Sequence, residues 1–352
     1  MKGRGDRLAA SLAEPELDLM LVTELVNIRY LTGFTGTNGA CICGPETRLF
    51  LTDFRYTERA AAEVEGWETI TVSDDWLGGI AAHLFGRVGF EDDHVSVRLL
   101  ERLRGKLAQG VEAVAAGGSV EKLRRVKDEA ELTAIAAASG LADEVWTWSV
   151  ERGLGGRPER EVARAAEARI RELGGDPSFP AIVAAGPNGA LPHAEPGERA
   201  IGSGELVVFD MGAKLDGYCS DGTRTFAVGE PGERAREVYE TVLAAQAAAL
   251  GVVTAGVGGE ALDAVAREVI GEAGHGERFG HGLGHGVGLE VHEAPRISLR
   301  SEDMLSAGEV VTIEPGIYLP GELGVRIEDL VVVTDGSCRN LSGLPKELQL
   351  VE

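Results

Sequence analysis

Four carboxylates and one histidine in the C-terminal half carry the chemistry of this sequence: Asp210, Asp221, His285, Glu314 and Glu328. Each acid sits in an apolar, β-branched run: L-V-V-F-D-M-G, G-Y-C-S-D-G-T-R-T, V-V-T-I-E-P-G-I-Y and V-R-I-E-D-L-V-V-V. Burying an unpaired carboxylate is costly unless a cation compensates it. Four such acids and an imidazole suit two hard or borderline divalent ions that share bridging carboxylates. The chemistry expected is that of a two-metal hydrolase.

The spacing gives the acids a common origin. Asp210 and Asp221 flank Leu215-Asp216-Gly217-Tyr218, and Asp-Gly is a strong hairpin signal. Their midpoint falls between Leu215 and Asp216, so the two acids are expected to be close cross-strand neighbours, allowing for a bulge. Glu314 and Glu328 repeat the arrangement about Gly321, within Leu319-Pro320-Gly321-Glu322-Leu323-Gly324. Two acid-bearing hairpins predict a pseudo-symmetric site between two half-domains.

Between the hairpins lies F-G-H-G-L-G-H-G-V-G-L-E-V-H-E, residues 279–293, where three of the seven histidines fall within twelve residues. The glycines allow close backbone approach to a ligand. They do not complete G-x-G-x-x-G, and the chain has neither a phosphate-binding P-loop nor a G-x-S-x-G elbow. Imidazole as metal ligand or general acid–base is the chemistry left.

At these residues the chain resembles the pita-bread metallopeptidases, in the Xaa-Pro peptidase branch that includes prolidase and aminopeptidase P. The resemblance rests on the Asp–Asp spacing, the G-H-G-V-G-L-E-V-H-E block, I-E-P-G-I-Y and R-I-E-D. It extends to the N-terminal third, where N-I-R-Y-L-T-G-F-T-G (27–36) is similar to that branch's non-catalytic domain. E-K-L-R-R-V-K-D-E-A-E (121–131) is similar to its start of the catalytic domain. The resemblance implies an α+β protein: a small α/β, creatinase-like domain over 1–118, then a pita-bread catalytic domain over 119–352 with a pseudo-symmetric antiparallel sheet.

It also implies roles. Asp210 would bind one metal, Asp221 and Glu328 would bridge both, and His285 and Glu314 would complete the second. Glu314 would shuttle a proton from water to the leaving proline nitrogen. His292 and His193 match substrate-side histidines, and His281 matches a position on the substrate side or just behind the ligands. Arg326 would support the carboxylates. Phe179 and Ile182, in P-S-F-P-A-I, match a segment lining the proline pocket. Arg296 matches an arginine that pairs with a dipeptide's carboxylate, which inclines the reading to a dipeptidase over an aminopeptidase P. Manganese is favoured among the metals, with cobalt, zinc or iron also fitting the donor set. A homodimer, with a partner's N-terminal domain near the site, belongs to the same expectation. Methionine aminopeptidase usually lacks such an N-terminal domain, and creatinase-like hydrolases and non-catalytic pita-bread modules lack the ligand set.

Composition fits around this reading. At 352 residues, 44% of them hydrophobic, the chain has material for two cores. A net charge of −23 argues against nucleic acid or an anionic membrane as partner. The four cysteines, Cys41, Cys43, Cys219 and Cys338, form no C-x-x-C pair and no disulfide framework. Met1 to Pro15 is charged and lacks the apolar core of a secretory signal. No apolar run reaches transmembrane length, so a cytoplasmic location is the simplest expectation.

Strands are expected over 17–26 and 39–52, with a helix from Asp53 to Gly66. Gly117-Gly118-Ser119 reads as the domain boundary. Helices are then expected over 121–150, 158–173, 232–251 and 259–273, with Pro158 at an early helical position.

Overall fold

The computed structural model describes residues 3–352. The chain divides into two compact units between Arg124 and Arg125, past the glycine pair at 117–118. No helix among the described residues is long and apolar enough to cross a membrane.

The first unit is a mixed sheet with helices. Its strands are β1 (Leu19–Val22), β2 (Ala40–Cys43), β3 (Arg48–Thr52), β4 (Glu68–Thr71), β5 (Arg87–Phe90) and β6 (Glu112–Ala115), in the order β4-β3-β2-β1-β5-β6. The β1–β2 and β2–β3 pairs are antiparallel and the remaining three parallel. Its helices are α1 (Arg4–Ser11), α2 (Leu25–Thr32), α3 (Thr57–Glu63), α4 (Trp76–Ala81) and α5 (Val97–Arg104), and α6 (Ser119–Arg125) closes it. Leu19, Leu21, Ile42 and Leu51 meet Ile80, Leu84 and Leu103 in its core.

The expected strand over 17–26 is therefore too long. It stops at Val22 because the Glu24 carboxylate caps α2 by accepting from the Val26 amide at 3.4 Å, and Gly33 ends that helix at φ 84°. The run 39–52 is two strands, since the Gly44 amide donates to the Thr47 carbonyl and turns the chain. The helix expected from Asp53 is a 3-10 turn over Phe54–Tyr56 followed by α3.

The second unit consists of two similar halves, each a helix pair packed on an antiparallel sheet. In the first half are α7 (Glu129–Glu151), α8 (Glu159–Glu172), β7 (Asp176–Pro177), β8 (Ile182–Ala185), β9 (Leu206–Asp210), β10 (Ala213–Leu215), β11 (Tyr218–Cys219) and β12 (Thr223–Val228). In the second are α9 (Glu233–Leu250), α10 (Gly259–Glu272), β13 (Gly284–Gly286), β14 (Glu293–Ile297), β15 (Val310–Ile313), β16 (Gly316–Leu319), β17 (Leu323–Arg326) and β18 (Asp329–Val333). β19 (Cys338–Asn340) and β20 (Leu350–Val351) follow. The main sheets run β20-β12-β9-β8 and β14-β13-β15-β18-β19.

Each helix pair covers its own sheet. Val145, Trp146, Val162 and Ile170 pack on Val183, Phe209 and Phe226. Val238, Val242, Leu262 and Ile270 pack on Val311, Ile317, Val325 and Val331. Complete burial of a side chain of this size contributes roughly 1.5–3 kcal/mol. β9, β12 and β18 are buried on both faces, which is why their sequences read as continuous apolar runs and why an acid at their ends stands out.

The helix expected over 121–150 is broken. Val126-Lys127-Asp128 is extended, Val126 bridges Glu309, and Asp128 caps α7 in a capping box with Glu131. Pro158 stands one residue ahead of α8 with φ −61°.

Candidate metal and peptide site

The first acid-bearing hairpin differs in register from its sequence expectation. Asp216 and Gly217 both have positive φ, 48° and 85°, the geometry of a two-residue type I′ turn. The turn is thus centred between Asp216 and Gly217, one residue later than the midpoint of the two acids. A shift of one at the turn moves every partner by two, so Asp210 pairs with Thr223 and not with Asp221. Asp221 is two residues from Thr223 on the same strand path, a diagonal neighbour of Asp210.

The second hairpin mirrors about Gly321 as expected. Ile313 pairs with Asp329 and Gly316 with Arg326, which sets Glu314 and Glu328 opposite one another. A single bridge between Thr223 and Glu328 joins the two hairpins. Thr223 works at that joint in three ways. Its carbonyl accepts from the Glu328 amide at 3.1 Å, its hydroxyl donates to Glu328 Oε2 at 2.7 Å, and the same oxygen accepts from Arg326 Nε at 3.0 Å.

His285 comes from β13, whose neighbour Gly284 admits no Cβ: one would lie 2.0 Å from the Thr312 carbonyl oxygen. Its Nδ1 donates to the Gly286 carbonyl at 3.1 Å, leaving Nε2 as the free lone pair. That nitrogen is 3.6 Å from Asp221 Oδ2 and 3.5 Å from Glu314 Oε1. The Thr312 hydroxyl accepts from the His285 amide at 3.1 Å and donates to Glu314 Oε1 at 3.3 Å, tying the histidine to the acid.

These residues fit divalent cations. Asp221, His285 and Glu328 each bring a donor atom within 4.8 Å of the others. Asp210 Oδ1 is buried without a hydrogen-bond partner, while its Oδ2 accepts from Arg326 Nη2 at 2.5 Å. Burial, then mutual repulsion, pushes Asp221 and Glu314 well above the ordinary carboxylate range. Burial and the charge of Asp210 push Glu328 up to about 8. Burial holds the His285 ring down, to about 4, so it is neutral and able to donate a lone pair. Arg326 supplies one positive charge against four carboxylates, and divalent ions would supply the remainder. An oxygen-rich set with one imidazole suits borderline or hard ions.

Around the acids, the other sequence-derived residues divide. Arg326 is buried and donates to Asp210, to Thr223 and, at 2.9 Å, to Tyr318 Oη. His281 continues that chain. Its Nδ1 donates to the Gly282 carbonyl at 2.8 Å, so Nε2, 2.8 Å from Tyr318, accepts the phenol proton. Both nitrogens of His281 are thereby taken by protein atoms, which favours support of the ligands over substrate contact. His292 is exposed, with its ring 4.4 Å from that of His285. His193, also exposed, acts electrostatically on Asp210, His281 and His292. Arg296 pairs with His285 across β13 and β14, and its side chain is exposed. Ile182 pairs with Asp210 across β8 and β9, so its side chain shares the acid's face. Phe179 is half-buried in the connection between β7 and β8.

Thr223, Thr312 and Tyr318 were not identified from sequence. They are uncharged, and only the register of the hairpins brings them to the acids.

The family model of metallopeptidase family M24 matches residues 133–335, and that of the creatinase/prolidase N-terminal domain matches residues 4–126. The Xaa-Pro dipeptidase of Pyrococcus furiosus is 37% identical over 351 residues, 99% of this chain and 100% of the relative. The structure of an Xaa-Pro dipeptidase from Bacillus anthracis superposes with a TM-score of 0.96 at 37% identity, covering 99% of both chains. That of an X-Pro aminopeptidase from Thermotoga maritima gives 0.92 at 36% identity, covering 99% of this chain and 100% of that one.

Proposed function

The chain belongs to metallopeptidase family M24, and from that premise we propose that it is an Xaa-Pro dipeptidase using two divalent ions, manganese favoured. The four acids Asp210, Asp221, Glu314 and Glu328 on two joined hairpins, with His285 of β13 against Asp221 and Glu314, carry the reading. Those five residues would hold the ions, which when bound supply Lewis-acid polarisation of the scissile carbonyl and activation of water at neutral pH.

The chain's own groups do the rest. Glu314 takes a proton from the attacking water and passes it to the proline nitrogen. Thr312 donates to Oε1 of this carboxylate and so fixes its orientation. His292 and His193 are exposed beside the acids and hydrogen-bond the substrate carbonyl as charge develops on it. Ile182 offers an apolar contact on Asp210's face for the pyrrolidine ring, with Phe179 completing the pocket. Arg296 pairs with the free carboxylate of a dipeptide. Arg326 keeps Asp210 oriented while contributing one fixed positive charge. A homodimeric assembly and a cytoplasmic setting complete the proposal.

Similarity to an X-Pro aminopeptidase structure favours one second reading, action on longer Xaa-Pro-Yaa peptides. Release of the first residue from Ala-Pro, Ala-Pro-Ala and Ala-Ala-Ala, with and without manganese, separates the two. The expected result is metal-dependent cleavage of Ala-Pro above the others. Preference for Ala-Pro-Ala would establish the aminopeptidase, and cleavage of Ala-Ala-Ala would mean that the pocket does not select proline.

His292→Ala is expected to lower kcat by roughly 10²-fold, as for loss of one donor to a developing oxyanion. Metal content should stay near that of the parent. A His292→Ala protein purified empty of metal would assign the ring to ligation instead.

A further inference from the structure

The segment Arg125-Val126-Lys127 stands out in sequence and takes no part in the mechanism above. It runs from the last residue of α6 into an extended stretch, with Val126 bridged to Glu309. Arg125 and Lys127 each end in an ion pair that leads to β14 or to the loop after it.

Lys127 buries its side chain to 1% exposure, with Nζ 3.2 Å from Glu293 Oε2, itself 6% exposed. The other oxygen of Glu293 accepts from the Glu290 amide at 3.1 Å, closing the turn that precedes β14. The carboxylate packs closely on Gly288, where a Cβ would lie 2.6 Å from it. Glu293 is the first residue of β14 and adjoins His292.

Arg125 secures the other end of the strand. Its Nη1 is 2.7 Å from Asp303 Oδ1, and Nε is 2.8 Å from the buried Glu309 Oε1. Asp303 Oδ2 accepts from the Arg296 amide at 2.8 Å, and the Ser301 hydroxyl donates to the Arg296 carbonyl at 2.5 Å. Both backbone groups of Arg296 are thus held by the loop that Arg125 clamps.

β14 is the edge strand of its sheet, hydrogen-bonded to β13 and backed by α10, and its register slips between His285 and Gly286. Where the register shifts the ladder is locally disrupted, so side-chain contacts help to set the strand's course. A buried ion pair adds little net stability over apolar packing but imposes a definite geometry. We propose that Lys127 and Arg125 are positioning residues for substrate recognition. They pin the two ends of β14 so that His292 and Arg296 stand at the correct distance from the ligand His285. The proposal rests on the Xaa-Pro dipeptidase reading, because it assigns Arg296 to the carboxyl end of a bound dipeptide.

The test compares Lys127→Met, Lys127→Arg, Glu293→Gln and Arg125→Met with the parent, using Ala-Pro and its C-terminal amide, Ala-Pro-NH2. Metal content and thermal midpoint are measured on each protein. The amide has no carboxylate for Arg296, so a displaced Arg296 penalises only the free acid, whereas a displaced His292 penalises both. Lys127→Met and Glu293→Gln, which free the His292 end, are expected to lose roughly 10²-fold in kcat/KM on both substrates for a displacement on the order of 1 Å. Arg125→Met, which frees the Arg296 end, should lose mainly through KM on Ala-Pro, with a several-fold smaller loss on the amide. Metal content should be unchanged throughout, and Lys127→Arg should recover most of the loss of Lys127→Met. Equal losses on both substrates for Arg125→Met, or kinetics like the parent's in Lys127→Met and Glu293→Gln, would overturn the positioning role while leaving the dipeptidase reading intact. A parent that fails to cleave Ala-Pro would overturn both. Should Lys127→Met fold poorly, the near-isosteric Glu293→Gln decides the question.

Discussion

Glu328→Ala is expected to lower kcat on Ala-Pro by about 10³-fold or more, the equivalent of several kcal/mol of lost transition-state stabilisation. Glu328 is 2% exposed and sits where the two hairpins join, its amide on the Thr223 carbonyl and its Oε2 on the Thr223 hydroxyl. It shares a donor cluster with Asp221 and His285, so its loss removes oxygen donors from that cluster. Glu328→Gln keeps the shape and the contact with Thr223 yet removes the charge, and should be nearly as damaging. Asp221→Ala should behave alike. Elemental analysis of each purified variant should show fewer ions per chain than in the parent. A Glu328→Ala enzyme with full metal content and kcat within about tenfold of the parent, where loss of a transition-state contact must exceed 1.4 kcal/mol to register, would remove Glu328 from the ligand set.

The second large effect concerns stability. Arg326→Met should destabilise the metal-free chain by about 3–5 kcal/mol, the usual cost of breaking one side of a buried charge pair. The guanidinium is 4% exposed and donates to Asp210, Thr223 and Tyr318. Without it Asp210 loses the guanidinium at Oδ2, and its Oδ1 has no hydrogen-bond partner among the described residues. The four acids also lose a cation that faces them. Manganese should recover part of the deficit, because ions that bind only the folded state stabilise it by mass action. Urea unfolding of parent and variant, each with and without manganese, measures both terms. A deficit below about 1 kcal/mol in the metal-free proteins, the level of an exposed pair, would mean that water or a rearranged side chain replaces Arg326.

Much of the site was legible because burial and charge conflict in it. An aspartate or glutamate at the end of a strand buried on both faces needs a reason, and Asp210 and Glu328 supplied that signal directly. The second hairpin was legible in its register as well, since Pro320-Gly321 sets the turn and the strands on either side continue it. The first hairpin misled by one residue. Asp216-Gly217 adopts the type I′ turn that the dipeptide favours, and the midpoint of two acids is not a turn. The helices α8, α9 and α10 were found within a residue or two of their bounds, because an apolar stripe against one sheet leaves a clear period. α2 was missed: its cap, Glu24, and its left-handed stop, Gly33, are local devices inside a run that reads as strand.

The residues that join the parts lay beyond the sequence. Thr223 and Tyr318 carry no charge, yet they connect Glu328, Arg326 and His281. Nor could spacing say that His281 spends both its ring nitrogens on protein atoms while His292 remains exposed. The sequence by itself determined which chemistry the chain can perform, because the cost of burying four acids and an imidazole has one common remedy, bound cations. Tertiary structure alone decided which oxygen faces which donor, since hydrogen-bond geometry depends on strand register and on contacts between residues a hundred positions apart.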